Sequence, residues 1–277
     1  MGLKDIIVHM DEGAQSANRL KAAMALAARH QAHLIGVYAI PHPYIPTYAE
    51  VHISQEVIEN QMRQAEEAAA RAGDAFKKAT AKSGLSVEWR QQQGDSGRVL
   101  GFHCRYADLT IVSQPDPDQS LFAGDRDMPD RLILTAGRPV LVLPFDYTGD
   151  IAAKRVMVAW DESPLASRAV HDAMAFLKKA EKVTVMVVNP TTEEGERRDP
   201  GADISAHLAR HGVKVEADHV TSSEVDVGNM LLSRAADMAA DLIVMGAYGH
   251  ARWSELLLGG VTNRILTDQT VPVLMSH

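Results

Sequence analysis

One cysteine in 277 residues leaves this chain nothing to pair within itself. Cys104 cannot form an intrachain disulfide, and such sparing use of thiols fits a reducing compartment, the cytoplasm. Its setting, FHCRYA, reads as helix, where a cysteine packs as a small apolar residue rather than acting as a nucleophile. No apolar run reaches the ~18 residues of a membrane span. The opening MGLKDIIVHMDEG puts charge where a secretory signal would carry its apolar core. Basic residues are outnumbered, 28 Lys and Arg against 36 Asp and Glu, for a net charge of −8. That balance argues against a non-specific nucleic-acid binder. There is no HExxH and no GxSxG, so neither a zincin site nor a nucleophile elbow is present. What remains, 46 % hydrophobic and 23 % charged, is the composition of an ordinary globular protein.

What the chain does have is an internal repeat. Lys4 to Glu12 (KDIIVHMDE) returns 150 residues later as Lys154 to Glu162 (KRVMVAWDE). The same offset pairs Ala23-Met24-Ala25 with Ala173-Met174-Ala175. Further on the offset falls to 133: Ala107-Asp108-Leu109 matches Ala240-Asp241-Leu242, and Pro139-Val140-Leu141 matches Pro272-Val273-Leu274. The 17-residue difference is an insertion in the first half, inside a long helical stretch from about Ser54 to Lys82.

Each half alternates short apolar runs with amphipathic segments. In the first half strands are expected near 5–10, 33–39, 86–91, 109–113 and 139–144; in the second near 155–160, 182–189, 214–219, 242–246 and 272–275. That alternation predicts an α/β protein of two tandem doubly wound, Rossmann-like domains, 1–147 and 152–277, joined by a linker at 146–150. Each would hold a mostly parallel five-stranded sheet with its ligand crevice at the strand carboxyl ends.

The richest stretch is 241–268. Leu242-Ile243-Val244-Met245 reads as a buried strand; then come Gly246, Gly249 and the pair Gly259-Gly260, followed by a helix through Val261 and Thr262. Glycines at a strand end let backbone approach a ligand closely. A helix start at 259–262 offers N–H groups and a dipole, the latter worth about 0.3–1 kcal/mol to an anion. His250 lies inside the loop, and Arg252 and Arg264 are nearby cations. The spacing is neither that of a Walker A loop nor of the GxGxxG dinucleotide fingerprint. It resembles the signature of the universal stress protein family: Gly, two residues, Gly, nine residues, Gly, then Ser or Thr. Gly246, Gly249 and Gly259 stand as that signature asks; Gly260 takes the hydroxyl position, and Thr262 offers a hydroxyl two residues on.

The resemblance implies a stress-response protein binding ATP, with Mg2+, in the second half. Asp161 matches the family's acidic residue beside the ribose; Val188 matches the position whose backbone meets the adenine edge. Ala159, at its strand end, leaves room for a ligand. Asp161, Ser163 and Pro164 are also helix-start signals. The resemblance implies sensing rather than turnover, at most a weak ATPase, with no catalytic residue and no protein metal site. It further implies a pseudo-dimer within the chain through Val140–Pro144 and Val273–Met275, a further homodimer, a regulatory protein partner, and no membrane or nucleic-acid role. A nucleotide-independent interaction protein with a vestigial site is the alternative; a true nucleotide-using enzyme would need a base or metal ligand that the sequence does not offer.

The first half keeps the scaffold and loses the glycines. At the offset of 133, Ser113, Asp116, Arg126 and Asp127 stand for Gly246, Gly249, Gly259 and Gly260. With Asp118, Asp125 and Asp130 added, the loop would repel a polyphosphate, by about 1 kcal/mol per unit pair 4 Å apart in water. No nucleotide is expected there, and Asp11, the repeat of Asp161, is expected to serve as a helix cap. His207 and His211, one turn apart, read as a solvated helix face; His30 and His33 have a tempting spacing but no metal-site partners. Residues 192–200 read as a polar loop over the adenine end.

Overall fold

The computed structural model describes residues 2–43, 54–116, 127–188, 199–221, 226–249 and 260–277. In the first half, β1 (Asp5–Met10), α1 (Ser16–His30), β2 (His33–Ile40) and α2 (Gln55–Thr80) come first. β3 (Val87–Gln93), α3 (Ser96–Cys104), β4 (Leu109–Ser113), α4 (Met128–Ala136) and β5 (Val140–Leu143) complete it. In the second half, β6 (Arg155–Ala159), α5 (Pro164–Asp172), the short α6 (Met174–Leu177), β7 (Lys182–Val188) and α7 (Pro200–Arg210) are followed by β8 (Val215–Val220), α8 (Val227–Asp237), β9 (Leu242–Gly246), α9 (Gly260–Asp268) and β10 (Val273–Ser276).

All ten strands join one sheet in the order β3-β2-β1-β4-β5-β10-β9-β6-β7-β8. Every pairing within a half is parallel. The seam between β5 and β10 is antiparallel, with Val142 opposite Val273 and Val140 opposite Met275. The two five-stranded units are therefore related by a pseudo-twofold through their fifth strands and form a single continuous sheet. Central strands such as β4 are buried along their whole length, as continuous apolar runs in a parallel sheet must be. The outer strands β3 and β8 carry exposed Gln91, Gln92, Glu216 and His219 among half-buried neighbours, a polar dressing that blunts a sheet edge.

Helices cover both faces. One core holds Leu20, Leu26 and Phe76 with Phe176, Ile204 and Leu208, so α1, α2, α5, α6 and α7 share a face. The other holds Leu100, Leu132 and Ile133 with Leu231 and Ile265, from α3, α4, α8 and α9. Crossovers leaving β1 and β4 thus go to opposite faces, and so do those leaving β6 and β9. The two switch points, β1/β4 and β6/β9, open crevices at the strand carboxyl ends. The long helix expected over 54–82 is α2, whose side chains are buried only from Ala68 onward.

Candidate functional site

The β6/β9 crevice is built from two strand ends and one helix start. Beyond Ala159 the Trp160 N–H reaches back to the Met186 carbonyl at 2.9 Å. Asp161 then accepts the Ser163 N–H at 3.0 Å, while Glu162 turns the chain with φ 60°. Ser163 is the N-cap of α5, its Oγ accepting the Ala166 N–H at 3.1 Å, and Pro164 fills the first turn. Asp161 thus braces the cap rather than being it, and its carboxylate sits exposed at the crevice mouth. Across from it β9 ends at Gly246, where an added Cβ would lie 2.6 Å from the Ala166 nitrogen and 2.7 Å from the Leu165 carbonyl carbon. This glycine lets α5 press on the strand end; its first role is packing. At Gly249 the nearest atom to a Cβ is Leu165 Cδ1 at 3.4 Å, then Ser163 Oγ at 3.6 Å, and at Gly260 nothing lies within 4 Å.

Of the residues singled out in the sequence, Ala159, Asp161, Gly246 and Gly249 come together around the start of α5. Val188 ends the neighbouring strand β7, half-buried. Gly260 and Val261 open α9. Thr262 is buried and its hydroxyl accepts the Tyr248 N–H at 3.1 Å, so it holds the loop from behind. His250, Arg252, Gly259, Asp118 and Asp125 lie outside the described residues, as do residues 192–198 of the expected polar loop.

Tyr248 was not singled out from sequence, because a tyrosine between two loop glycines carries no motif. It adopts a left-handed backbone, φ 62°. Its hydroxyl donates to Asp130 in the first turn of α4, on the other half of the chain. Burial, then the Asp130 carboxylate, push the phenol up, so it stays a protonated donor.

The β1/β4 crevice is filled from within. Arg19, on α1, is 3 % exposed. Its Nε donates to the His9 carbonyl at 2.6 Å, one terminal nitrogen to Ser113 Oγ at 3.0 Å and the other to Asp11 at 2.7 Å. Burial alone would raise the Asp11 carboxyl; Arg19, with His9 and the Gly13 N–H, overrides it and holds the group below its ordinary value. Asp11 is therefore not a cap, contrary to the sequence expectation: α1 starts only at Ser16, with Gln15 in the cap position and no side-chain cap bond. The expectation failed because it carried the helix-start setting of Asp161 across the repeat, whereas α1 starts only at Ser16 and brings Arg19 to the carboxylate. Alignment at the offset of 150 puts Ala169 where Arg19 stands, a signal that comparison of the two helices would have found.

Other candidates remain structural. Cys104 is buried, accepts a bond from Thr110, and burial pushes its thiol up to about 11. His207 and His211 lie ring to ring at 4.8 Å on the exposed face of α7. No group of three His, Cys, Asp or Glu fit to hold a metal occurs among the described residues. Nor is any helix among them long and apolar enough to cross a membrane. A groove of about 570 Å3 lies between α1 and α2 beside the carboxyl end of β1, lined by Met10, Asp11, Ser16, Leu20, Met24 and Ala72; neither Gly246 nor Gly249 lines it.

The universal stress protein family model matches residues 152–277. A universal stress protein of Synechocystis sp. is 25 % identical over 150 residues, covering 52 % of this chain and 49 % of the relative; the match spans about half the length of that protein. The fold as a whole is similar to a universal stress protein from Archaeoglobus fulgidus, with a TM-score of 0.73 at 16 % identity over 98 % of this chain and 95 % of the other. A putative universal stress protein from Pseudomonas aeruginosa gives 0.63 at 15 % identity over 99 % and 93 %.

Proposed function

We propose that the chain, whose residues 152–277 match the family model of the universal stress proteins, is a stress-response protein that binds ATP once, in the β6/β9 crevice. The observation that carries this reading is the contrast between the two switch points. In the first half the space between strand ends holds a buried guanidinium, tied to Asp11, Ser113 and the His9 carbonyl. In the second half the same positions are Ala169, Asp161, Gly246 and Ala159, small residues around one exposed carboxylate.

In this reading Asp161 accepts ribose hydroxyls, the role an acidic residue takes at other nucleotide crevices. Ala159 leaves space beside it, and the Val188 backbone meets the adenine edge. The triphosphate lies along Gly246 and Gly249 toward the start of α9, where Gly260, Val261 and Thr262 offer N–H groups and the positive end of the helix dipole. His250 and Gly259 belong to the same loop. Glycine at 260 removes a hydroxyl but keeps its N–H, and backbone donors supply most of such a cradle. Mg2+ would ride mainly on the phosphates, since it keeps waters and takes few protein ligands at such sites. Among the described residues none is placed to act as a general base, and in this reading the role is sensing, with a partner protein reading the occupied surface, in the cytoplasm. Residues 1–147 and 152–277 act as two domains, with nucleotide held by the second alone, and the chain pairs with a second copy.

One feature favours a second reading, a nucleotide-independent interaction protein: Thr262 is buried, its hydroxyl turned back to accept the Tyr248 N–H. The two readings separate in one experiment. Small molecules released from purified protein are identified by mass, and ATP–Mg2+ is titrated into stripped wild type and Gly249→Asp. A Cβ at Gly249 meets only ordinary contacts, so the substitution adds charge without breaking the fold. One ATP per chain, with affinity falling at least tenfold in the variant, is the expected result. A wild type that binds none supports the interaction protein instead.

A further inference from the structure

Tyr248 ties the glycine loop of the second half to the helix start of the first. Its N–H is held by Thr262 in the first turn of α9. Its hydroxyl is held by Asp130 in the first turn of α4. Its ring lies 6.4 Å from that of His277, whose Nδ1 contacts the Ala247 carbonyl at 3.0 Å. A non-glycine residue keeps a left-handed backbone only where its surroundings over-determine it, and these contacts do so.

The tether has no symmetry mate. At the offset of 133, Tyr248 corresponds to Pro115 and Asp130 to Asn263. Proline has no hydroxyl to donate, so the pseudo-twofold copy of this bond cannot form. The link runs one way, from the half with the glycines to the half without them. Asp130 itself lines a cavity of about 370 Å3 between the halves, together with Asp116, Asp127 and Phe145 from the first half and Asn263 and Leu266 from α9.

We infer that Tyr248 is a one-way coupling element: a phosphate group seated on the loop of the second half is felt, through the Tyr248 hydroxyl, at the start of α4 and at the cavity beside it. This inference rests on the nucleotide reading above. A phosphate would take N–H groups at Gly249 and at the start of α9, the two segments that Tyr248 and Thr262 join. Any shift of that unit loads the bond to Asp130. By linkage the effect is reciprocal, so disturbing α4 must disturb the loop.

Hydrogen exchange read by mass spectrometry tests this in two arms on the full chain. Without ligand, Asp130→Ala is expected to speed exchange at 246–249 several-fold, and Tyr248→Phe to speed it at 127–136. Asp130→Asn, which keeps an acceptor, should stay near wild type; if it behaves like Asp130→Ala, charge rather than the bond is responsible and the tether is overturned. With ATP–Mg2+, exchange at 127–136 should slow in wild type, and that response should vanish in Tyr248→Phe even at saturating ATP. A response that survives in Tyr248→Phe, or ATP bound with 127–136 unchanged, overturns the coupling. Failure to bind ATP at all strikes the nucleotide reading and ends the transmission with it, while the ligand-free arm still decides the tether.

Discussion

Gly246 and Gly260 lie on one loop and do different work. At Gly246 a single methyl would collide with the backbone of α5 at 2.6 Å, and backbone cannot swing aside as a side chain can. At Gly260 the same methyl meets nothing within 4 Å. Gly246→Ala is therefore expected to destabilise the protein by about 1–3 kcal/mol, the cost of overpacking. Gly260→Ser, which places a hydroxyl at the helix start, should leave stability within about 0.5 kcal/mol. Denaturant unfolding of both variants beside wild type checks the pair, and equal losses would mean that the loop glycines serve one purpose. Arg19 makes the complementary point. In the first half its guanidinium, bonded to the His9 carbonyl, Ser113 and Asp11, lies between the strand ends, where the second half has only the small side chain of Ala169.

At the scale of elements, the contact between α1 and α6 carries a pH dependence. His30, in the last turn of α1, is buried with its ring 5.9 Å from that of Phe176 on α6. Burial, with Lys179 and Arg29 nearby, pushes its imidazole down from 6.5 to about 4. A lowered folded-state value means that the native state favours neutral imidazole. Stability from this group is complete above about pH 6.5 and drains away as pH falls toward 4, with a slope of up to about 1.4 kcal/mol per pH unit for one proton. Below about pH 4 the loss levels off, because both states then bind the proton. His30→Leu should flatten the stability profile between pH 6.5 and 4 while keeping the contact with Phe176. Melting temperatures across that range decide it, and a variant with the wild-type slope would assign the acid sensitivity to other groups.

The whole molecule is held across its middle by one antiparallel strand pair, by hydrophobic cores that run through both halves and by polar bonds. Gln114 donates to the Leu266 carbonyl at 2.7 Å and accepts the Phe145 N–H at 2.8 Å, and Gln269 donates to the Val142 carbonyl at 2.9 Å. The repeat offset puts Ala247 and Ala136 at the matching positions, so the seam is symmetric in its strands and asymmetric in its polar bonds. Leu141 sits in that seam opposite Leu274. Leu141→Pro removes a backbone donor from the ladder and should turn a single unfolding transition into two, one per half, in calorimetry. A single transition at lower temperature would mean that the halves cannot fold apart.

Much of this was readable in the order of residues alone. A repeat with fixed offsets, apolar runs too short for helices and amphipathic segments between them leave few arrangements other than two doubly wound units, because a parallel strand must be covered on both faces and crossovers keep one hand. The pairing of the two fifth strands was not legible in that pattern; only the family resemblance implied it, and the antiparallel seam of Val140–Val142 with Val273–Met275 is as implied. The loop glycines were legible because their spacing is local. What only the tertiary structure decided depends on groups far apart in the chain. Arg19 meets Ser113 across 94 residues and Tyr248 meets Asp130 across 118. Arginine and tyrosine are common on any helix or loop, and their meaning here comes from which carboxylate, hydroxyl or carbonyl the sheet brings within hydrogen-bonding reach. Periodicity specifies the frame because every residue of an element votes for it; a single long-range bond has no such redundancy, and it shows only once the chain has closed on itself.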